Sequence, residues 1–210
     1  MNIFVAGATG RVAKQLIWNL AESHYVYAGA RKPENVIKHK NVKAIPFDLH
    51  DELSVLTERI KGMDAVYFTA GSRGRDLLQV DAFGAVKLAQ AAEQAGIKRF
   101  ILLSSIFALE PDKWHLPGLD KLTNYNIAKF FADNYLVHQT DLDYTIVQPT
   151  GLTEEAASGK IALNPLKPGT NSIADVAHVL AAVLERPNTY SKVIKISAGE
   201  QAIETALESL

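Results

Sequence analysis

Two short segments of this sequence carry side chains whose types and spacing suit proton transfer. In the first, Tyr125 and Lys129 lie four residues apart in a helix-like segment, so both fall on one helix face. A phenol beside an ammonium group ionises more readily because the positive charge favours the phenolate, which would let Tyr125 act as a general acid or base. The alternative is an exposed pair without function, since a Tyr and a Lys at this spacing are common by chance.

The second segment is Ser104-Ser105, at the end of a predicted strand that begins at Arg99. Open α/β sheets bind ligands at the carboxyl ends of their strands, so one of the two hydroxyls is expected to face a ligand. The sequence leaves open whether Ser104 or Ser105 does so. A serine in this place, together with Tyr125 and Lys129, predicts an acid–base site.

A glycine turn near the start of the chain indicates which kind of ligand binds beside that site. An apolar strand over Ile3–Ala6 is followed by the turn and then by a helix over Val12–Leu20. Gly7 can adopt backbone angles closed to other residues, and Gly10, without a Cβ, lets an anion approach free N–H groups at the helix start. In this context the turn predicts a dinucleotide pyrophosphate, the alternative being glycines that serve packing only. The expected contacts are Gly7, Ala8, Thr9, Gly10, Arg11 and Val12.

The charge after the second predicted strand, Tyr25–Ala30, bears on which dinucleotide binds. An acid at this position accepts hydrogen bonds from a ribose 2′-hydroxyl, whereas an arginine accommodates a 2′-phosphate. The sequence has Arg31 and Lys32 there and no acid, which favours NADP(H) over NAD(H). The alternative is a solvated basic turn.

Two further strand ends are expected beside the adenosine half of the cofactor. A third strand over Val42–Phe47 leads to Asp48, which could accept from the adenine amino group or cap a helix that begins near Asp51. A fourth strand over Ala65–Ala70 is broken by a small-residue segment, 71–74, that leaves room for a ligand. The predicted cofactor contacts here are Asp48, Leu49, Thr69, Ala70 and Gly71.

Strand-like and helix-like segments alternate along the whole chain. A long helix from Leu77 ends at Gly96, a sixth strand covers Asp143–Gln148, and a helix over Ile173–Glu185 precedes a strand, Lys192–Ser197, that closes the sheet. This alternation predicts an α/β protein with a doubly wound parallel sheet, the Rossmann fold. We expect a single domain over residues 1–210 with a small C-terminal elaboration on the substrate side.

Two Pro- and Gly-containing segments, 106–120 and 149–172, are predicted to be substrate-side loops. In the first, Trp114 either covers the cleft or anchors the loop. The second carries polar groups that either meet a substrate or are solvated, namely Thr153, Glu154, Glu155 and Lys160.

Composition narrows the class of partner. With 22 Lys+Arg against 23 Asp+Glu, no net field attracts nucleic acid or an anionic membrane, so a small-molecule substrate is expected. The absence of cysteine excludes disulfides and thiolate chemistry, and the six histidines lack metal-ligand spacing, so no metal is expected. The sequence shows no secretory signal and no apolar run long enough to span a bilayer, which predicts a cytoplasmic protein. We expect it to be a monomer or a homodimer.

These motifs resemble those of the short-chain dehydrogenases/reductases, in particular the small atypical members that are NmrA-like or biliverdin reductase B-like. The similar segments are Gly7–Ala13, with Ala13 in place of a third glycine, Ile97–Ser105, Tyr125–Lys129, Gln148–Leu152 and Ile173–Ala177. The resemblance implies that Ser105 or Ser104 orients a substrate carbonyl, that Tyr125 donates the proton and that Lys129 holds the nicotinamide ribose. It places Pro149, Thr150, Gly151 and Leu152 beside the nicotinamide.

The function that the resemblance implies is an NADP(H)-dependent oxidoreductase acting on a small carbonyl or conjugated acceptor. In many relatives an Asn completes the catalytic set, and Asp81 occupies that position here. A non-catalytic NADPH-binding sensor is the alternative. A nucleotide-sugar epimerase or dehydratase is less favoured, because extended relatives of that kind carry more chain after the sixth strand.

Overall fold

The computed structural model describes all 210 residues. The helices are α1 (Arg11–Ala21), α2 (Leu53–Ile60), α3 (Phe83–Gln94), α4 (Thr123–Gln139), α5 (Ile173–Ala182) and α6 (Ile203–Glu208). The strands are β1 (Asn2–Ala6), β2 (Tyr25–Ala30), β3 (Val42–Pro46), β4 (Ala65–Phe68), β5 (Arg99–Leu103), β6 (Asp143–Pro149), β7 (Gly151–Thr153), β8 (Lys160–Leu163), β9 (Thr170–Ser172), β10 (Lys192–Ala198) and β11 (Gln201–Ala202). No helix combines the length and the apolar character needed to span a bilayer.

The central sheet has nine strands in the order β11-β8-β10-β6-β5-β4-β1-β2-β3. All neighbours from β3 to β10 pair in parallel. The chain moves outward from β1 to β3 and then returns to build β4 on the other side of β1. Ligands of open α/β sheets bind where the strand order reverses in this way. The predicted doubly wound parallel sheet is therefore confirmed.

Helices cover both faces of this sheet, which explains why its central strands β1, β4, β5 and β6 are buried almost throughout. On one face α1 and α5 pack together through side chains such as Leu16 and Leu180. On the other, α2, α3 and α4 contribute Leu56, Leu88 and Leu136 to a second cluster. The fully buried strands form a rigid platform, so the loops at their carboxyl ends hold defined positions.

The C-terminal part of the sheet differs from the prediction. The strand β10 does not close the sheet, because β8 pairs antiparallel to it and β11 pairs antiparallel to β8. The segment 149–172, predicted as loop, also contains β7 and β9, which pair with each other. These strands are only two to four residues long, so they show no apolar alternation, and their pairing with distant segments supplies the backbone partners instead.

The helix predicted to run from Leu77 is in fact two elements. Residues Leu77–Ala82 form a π-helical turn, and α3 begins only at Phe83. A π-helical turn changes the direction in which side chains point, and such turns are frequent at functional sites. The apolar spacing of this segment suits an ordinary helix equally well, so the change is not visible in the sequence.

Several strands and helices end earlier or begin later than predicted. The strands β3, β4 and β5 end before Asp48, Thr69 and Ser104, so these residues lie in the loops at the carboxyl edge of the sheet. The helix α5 ends at Ala182 rather than at Glu185. The early strand ends place more side chains at the edge where ligands bind.

Candidate active site

A single cleft of about 690 Å³ lies along the carboxyl ends of β1, β2, β4, β5 and β6. It brings together most of the residues predicted from the sequence, namely Gly7, Thr9, Gly10, Arg11, Val12, Arg31, Asp48, Leu49, Thr69, Ala70, Gly71, Ser104, Ser105, Tyr125, Lys129, Pro149, Thr150 and Leu152. The cleft is also lined by Asp81, which the family resemblance singled out. Lining residues that sequence reasoning missed include Phe47, Ser72, Arg73, Arg75, Asp76, Val80 and Leu103.

Three predicted residues do not line this cleft. Ala8 is fully buried in the core beneath the turn, and its N–H donates to the carbonyl of Gly29 at 3.0 Å. Lys32 is exposed at the start of a short turn, Pro33–Asn35, beyond the rim. Gly151 belongs to β7, where its N–H donates to the carbonyl of Gly169 at 3.0 Å.

The glycine turn is built by close backbone approach. Gly7 has a φ of +85°, and a Cβ on it would lie 2.5 Å from the Cα of Ala70. The fold itself therefore requires glycine at this position. Gly10 has a φ of −66° that any residue can adopt, and a Cβ there would lie 3.2 Å from the carbonyl oxygen of Gly7. Substitution of Gly10 consequently changes the surface of the turn more than its backbone.

The start of α1 presents unpaired donors to the cleft. No side chain caps the helix, and its first turn contains no acidic residue. The first N–H groups of a helix have no partner within it, and they carry the positive end of the helix dipole. Arg11, on the same turn, forms an exposed ion pair with Glu154 at 2.7 Å. The turn as a whole is suited to an anionic group.

Arginines surround the far end of the cleft, next to β2. Arg31, Arg73 and Arg75 all line it and all are exposed. This concentration of guanidinium groups favours an anionic group with a fork-shaped set of acceptors. Only Arg31 was recognised in the sequence, because the segment 71–74 was interpreted there by its small residues.

A histidine bridge closes the same end. His50 contacts Asp48 through Nδ1 and Asp76 through Nε2, each at 2.7 Å. These two hydrogen bonds raise the pKa of His50. Partial burial opposes ionisation of Asp48, but hydrogen bonds from His50 outweigh it and lower the pKa of that carboxyl.

The alternative that Asp48 caps α2 is wrong. The helix begins at Leu53 after Glu52, without a side-chain cap. Asp48 instead accepts from the backbone N–H of His50 at 3.1 Å, which forms a tight turn. This turn directs the Asp48 side chain into the cleft.

Tyr125 and Lys129 occupy the opposite end, on α4. Tyr125 is half-buried and Lys129 is only 3% exposed, and both line the cleft. The Lys129 Nζ lies 5.7 Å from the centre of the Tyr125 ring and donates to the carbonyl of Leu103 at 3.4 Å. The predicted shared face is therefore present, with the cation close to the phenol.

The two serines have different environments. Ser104 is 5% exposed, and its Oγ donates to Oδ2 of Asp133 at 2.8 Å. Ser105 is half-buried and lines the cleft, and its hydroxyl forms no hydrogen bond within the protein. The Ser105 hydroxyl is thus the one available to a ligand, a choice that the sequence leaves open.

Asp133 was missed in the sequence. It is fully buried, and its Oδ2 also accepts from Nε2 of Gln148 at 2.8 Å. Burial raises the pKa of Asp133 to about 6. Hydrogen bonds from Ser104 and Gln148 and the charge of Lys129 act in the opposite direction but are outweighed. Its spacing contained a signal, because Asp133 continues the interval of four from Tyr125 through Lys129.

A second buried carboxyl lines the middle of the cleft. Asp81, in the π-helical turn, is 1% exposed and accepts from the backbone N–H of Ser72 at 3.0 Å. Its Oδ1 and the hydroxyl of Ser72 have no partner in the protein. Buried polar atoms of this kind are usually satisfied, so a bound polar ligand is a suitable partner.

The substrate-side segments are held by polar anchors. Thr150 donates through its N–H and its hydroxyl to Oδ1 of Asn171, at 3.0 and 2.8 Å. Asp175 accepts from the N–H groups of Ser158 and Gly159 and from the hydroxyl of Ser172. Burial opposes ionisation of Asp175, but these bonds lower its pKa. They fix the loop before β8 against the start of α5.

The open alternatives for other loop residues are resolved by their contacts. Trp114 donates through Nε1 to the carbonyl of Phe107 at 2.9 Å and packs edge-on against Phe130, so it anchors its loop and does not line the cleft. Thr153 donates to Glu155 at 3.2 Å, and Lys160 pairs with Glu200 at 3.6 Å, both on the surface. These polar groups lie outside the cleft.

Comparison with known proteins agrees with this geometry. The family model described as NAD(P)H-binding matches residues 7–187. The chain is 33% identical over 219 residues to YhfK of Bacillus subtilis (strain 168), described as an uncharacterized sugar epimerase, and the match covers 100% of both chains. It is 34% identical over 229 residues to the UPF0659 protein YMR090W of Saccharomyces cerevisiae, covering 100% of this chain and 99% of that one.

A solved structure is more similar still. The crystal structure of the oxidoreductase ylbE from Lactococcus lactis superposes with a TM-score of 0.97 at 49% identity, covering 100% of this chain and 96% of the other. Similarity at this level extends over the glycine turn, the cleft and the C-terminal strands together.

Proposed function

Since this chain belongs to the NAD(P)H-binding family, we propose that it is an NADP(H)-dependent oxidoreductase. It transfers hydride between the nicotinamide and a small carbonyl or conjugated acceptor, with Tyr125 as the proton donor. The observation that carries this proposal is the arrangement of one cleft, with an anion-binding turn in its middle and the Tyr125–Lys129 pair at one end.

The residues of the cleft suit a dinucleotide. The uncapped start of α1 and the open side of Gly10 would hold the pyrophosphate. Asp81, whose buried Oδ1 has no partner in the protein, would accept from a polar group of the cofactor. Pro149, Thr150 and Leu152 would border the nicotinamide, as the resemblance to short-chain dehydrogenases implies.

The preference for NADP(H) rests on the arginines at the β2 end. Arg31 follows β2 directly, where a ribose 2′-substituent is expected. With Arg73 and Arg75 it would meet a 2′-phosphate through charge-assisted hydrogen bonds. Asp48 lies near Arg31, and the backbone and side chain of His50 both engage its Oδ1.

When bound, the cofactor supplies or accepts the hydride. The chain's own residues orient the acceptor and manage the proton. Ser105 would donate to the carbonyl oxygen, and Tyr125 would give its proton to that oxygen as negative charge develops there. Lys129 would stabilise the resulting phenolate, which regains a proton from solvent.

The proposal is tested by titration calorimetry with NADPH and NADH, followed by assays of NADPH oxidation with aldehydes, quinones and enones. We expect tighter binding of NADPH than of NADH, and turnover with at least one acceptor class that depends on Tyr125. Equal affinity for the two cofactors would contradict the assignment of the arginines, and NADPH binding without turnover would favour the sensor.

The name of the Bacillus subtilis relative favours epimerisation as a second candidate. An epimerase would use a Tyr–Lys pair for a hydride transfer that is reversed within the same cycle, so it produces no net change in the cofactor. Incubation with nucleotide sugars, followed by sugar analysis and measurement of the cofactor's absorbance, separates the two. Epimer formation without cofactor consumption would replace the proposed reaction.

A further inference from the structure

Asp133 follows the proposed catalytic pair on the same helix. It is fully buried on α4, one helical turn beyond Lys129 and two turns beyond Tyr125. Both of its hydrogen-bond donors, the hydroxyl of Ser104 and the amide of Gln148, bind Oδ2. The other oxygen, Oδ1, is buried and has no partner. A carboxyl that needed only hydrogen bonds for its burial would be expected to use both oxygens.

Lys129 is likewise buried without a close partner of opposite charge. It is 3% exposed, and its amine contacts only the Leu103 carbonyl, at 3.4 Å, and the rings of Phe68 and Tyr125. Neither Lys129 nor Asp133 forms a close ion pair. A buried cation is costly unless an opposite charge lies nearby.

The groups facing Asp133 from the other elements are neutral. Ser104 comes from the end of β5 and Gln148 from β6. Lys129 is the charged group whose field acts on this carboxyl.

We propose that Asp133 is the buried counter-charge of Lys129 and acts as a positioning residue for the nucleotide-binding and proton-transfer end of the cleft. Its carboxylate offsets the charge of the ammonium at the carboxyl end of β5, while Ser104 and Gln148 fix the carboxylate from the sheet side. The catalytic consequence rests on the proposed function, but the pairing of the two charges does not.

The stability of the fold does not explain an acid at this position. Burial raises the pKa of Asp133 to about 6. The stability that its protonated form contributes is therefore complete below the pKa of this group in the unfolded chain, and it is lost as the pH rises through about 6. At neutral pH the ionised form therefore opposes folding. A neutral amide of the same shape would remove this cost but would leave the Lys129 ammonium without its counter-charge, so the two effects on the melting temperature oppose each other.

The first test measures the Asp133 carboxyl in the protein without cofactor. Carbon-13 NMR of the aspartate carboxyls, with the Asp133 resonance assigned through its connectivity to the backbone of the native chain, gives the pKa of this group. In Lys129→Met the pKa should rise by about one pH unit, because an opposite charge nearby lowers it in the native chain. Lys87→Met is the matched control, since Lys87 is a buried lysine on α3 that donates to the carbonyl of Asp51.

The second test measures cofactor affinity against pH. Relative to the native chain, Asp133→Asn should bind NADPH about tenfold more weakly above about pH 7, and the ratio should approach one at about pH 5, where Asp133 is protonated. Titration of the cofactor's own phosphates cancels in this ratio. A purely structural role predicts the same ratio at every pH.

The outcomes separate the two proposals. An unchanged Asp133 pKa in Lys129→Met would overturn the counter-charge, whether or not the chain is an oxidoreductase. A constant affinity ratio alongside a shifted pKa would overturn the positioning role. Failure to bind either cofactor would remove the proposed function, and the carboxyl titration would still decide on the pairing. That titration uses an intact Asp133, so it also decides the matter if Asp133→Asn does not fold.

Discussion

The two ends of the cleft hold charge in opposite ways. At the Tyr125 end, Lys129 and Asp133 are almost inaccessible to water and have few polar partners. At the β2 end, Arg31 and its neighbouring arginines are exposed, and His50 links two carboxylates on the surface. Charges act strongly where water is excluded and are screened where it is not. One substitution should therefore have a large effect at the buried end, whereas several residues share the effect at the exposed end.

The largest effect is expected from Tyr125→Phe. Loss of the proposed proton donor should lower turnover by roughly two to four orders of magnitude, the usual contribution of general acid–base catalysis, with NADPH affinity nearly unchanged. Steady-state kinetics and calorimetry measure the two quantities. Tyr135→Phe is the control, because Tyr135 is also on α4 but bonds to Gln90 outside the cleft. Equal rates for the native chain and Tyr125→Phe would show that Tyr125 is not the proton donor.

The next effect concerns the turn that joins the two ends. Gly10→Val should reduce the affinity for NADPH and NADH alike by at least about tenfold, because its branched side chain occupies the path of the pyrophosphate. Gly10→Ala should fall between Val and the native chain. Since Gly10 has an ordinary φ, both variants should fold, which thermal melting checks. Undiminished affinity in Gly10→Val would place the pyrophosphate elsewhere.

At the exposed end, Arg31→Ala should weaken NADPH binding by roughly ten- to a hundredfold and leave NADH binding nearly unchanged. Arg31→Asp should invert the preference, because it repels the 2′-phosphate and offers an acceptor to a 2′-hydroxyl. If several arginines share the contact with the 2′-phosphate, Arg75→Ala in the Arg31→Ala background should weaken NADPH binding further. Dissociation constants at fixed ionic strength measure this, and unchanged discrimination in Arg31→Asp would contradict it.

The smallest effect is expected at His50. Hydrogen bonds to Asp48 and Asp76 raise the pKa of His50. The imidazolium that is hydrogen-bonded to both carboxylates is therefore present at low pH, and its contribution to stability is lost as the pH rises through this raised pKa. A neutral imidazole donates only one hydrogen bond, so one of the two links then opens. The ratio of NADPH affinities of the native chain and His50→Gln should change by no more than about threefold between pH 6 and 9, as expected for an exposed bridge. A much larger change would mean that this end is not screened by water.

The sequence predicted the parts of the cleft that depend on local pattern. The glycine turn needs only a strand, two glycines and a helix in succession, and the Tyr125–Lys129 pair needs only helical spacing. The doubly wound parallel sheet follows from the alternation of strands and helices. Each of these signals lies within a short segment, so tertiary contacts were not needed to recognise it.

The parts that were missed depend on contacts between distant segments. Asp133 becomes notable only when Ser104 and Gln148 converge on it from two strands. Asp81 was noted only through the family resemblance, and ordinary apolar spacing does not reveal the π-helical turn that carries it. Lys32 carries the same charge as Arg31 but does not line the cleft, which composition alone does not show.

The central claim is that both ends of the cleft serve one hydride transfer, and isotope tracing tests it most directly. NADPH carrying deuterium on the transferring face of the nicotinamide would be incubated with each acceptor class, and the products would be analysed by mass spectrometry. The account predicts one deuterium bound to the reduced carbon of the product, with the labelled product greatly diminished in Tyr125→Phe. Tight binding of NADPH without deuterium in any product would contradict it.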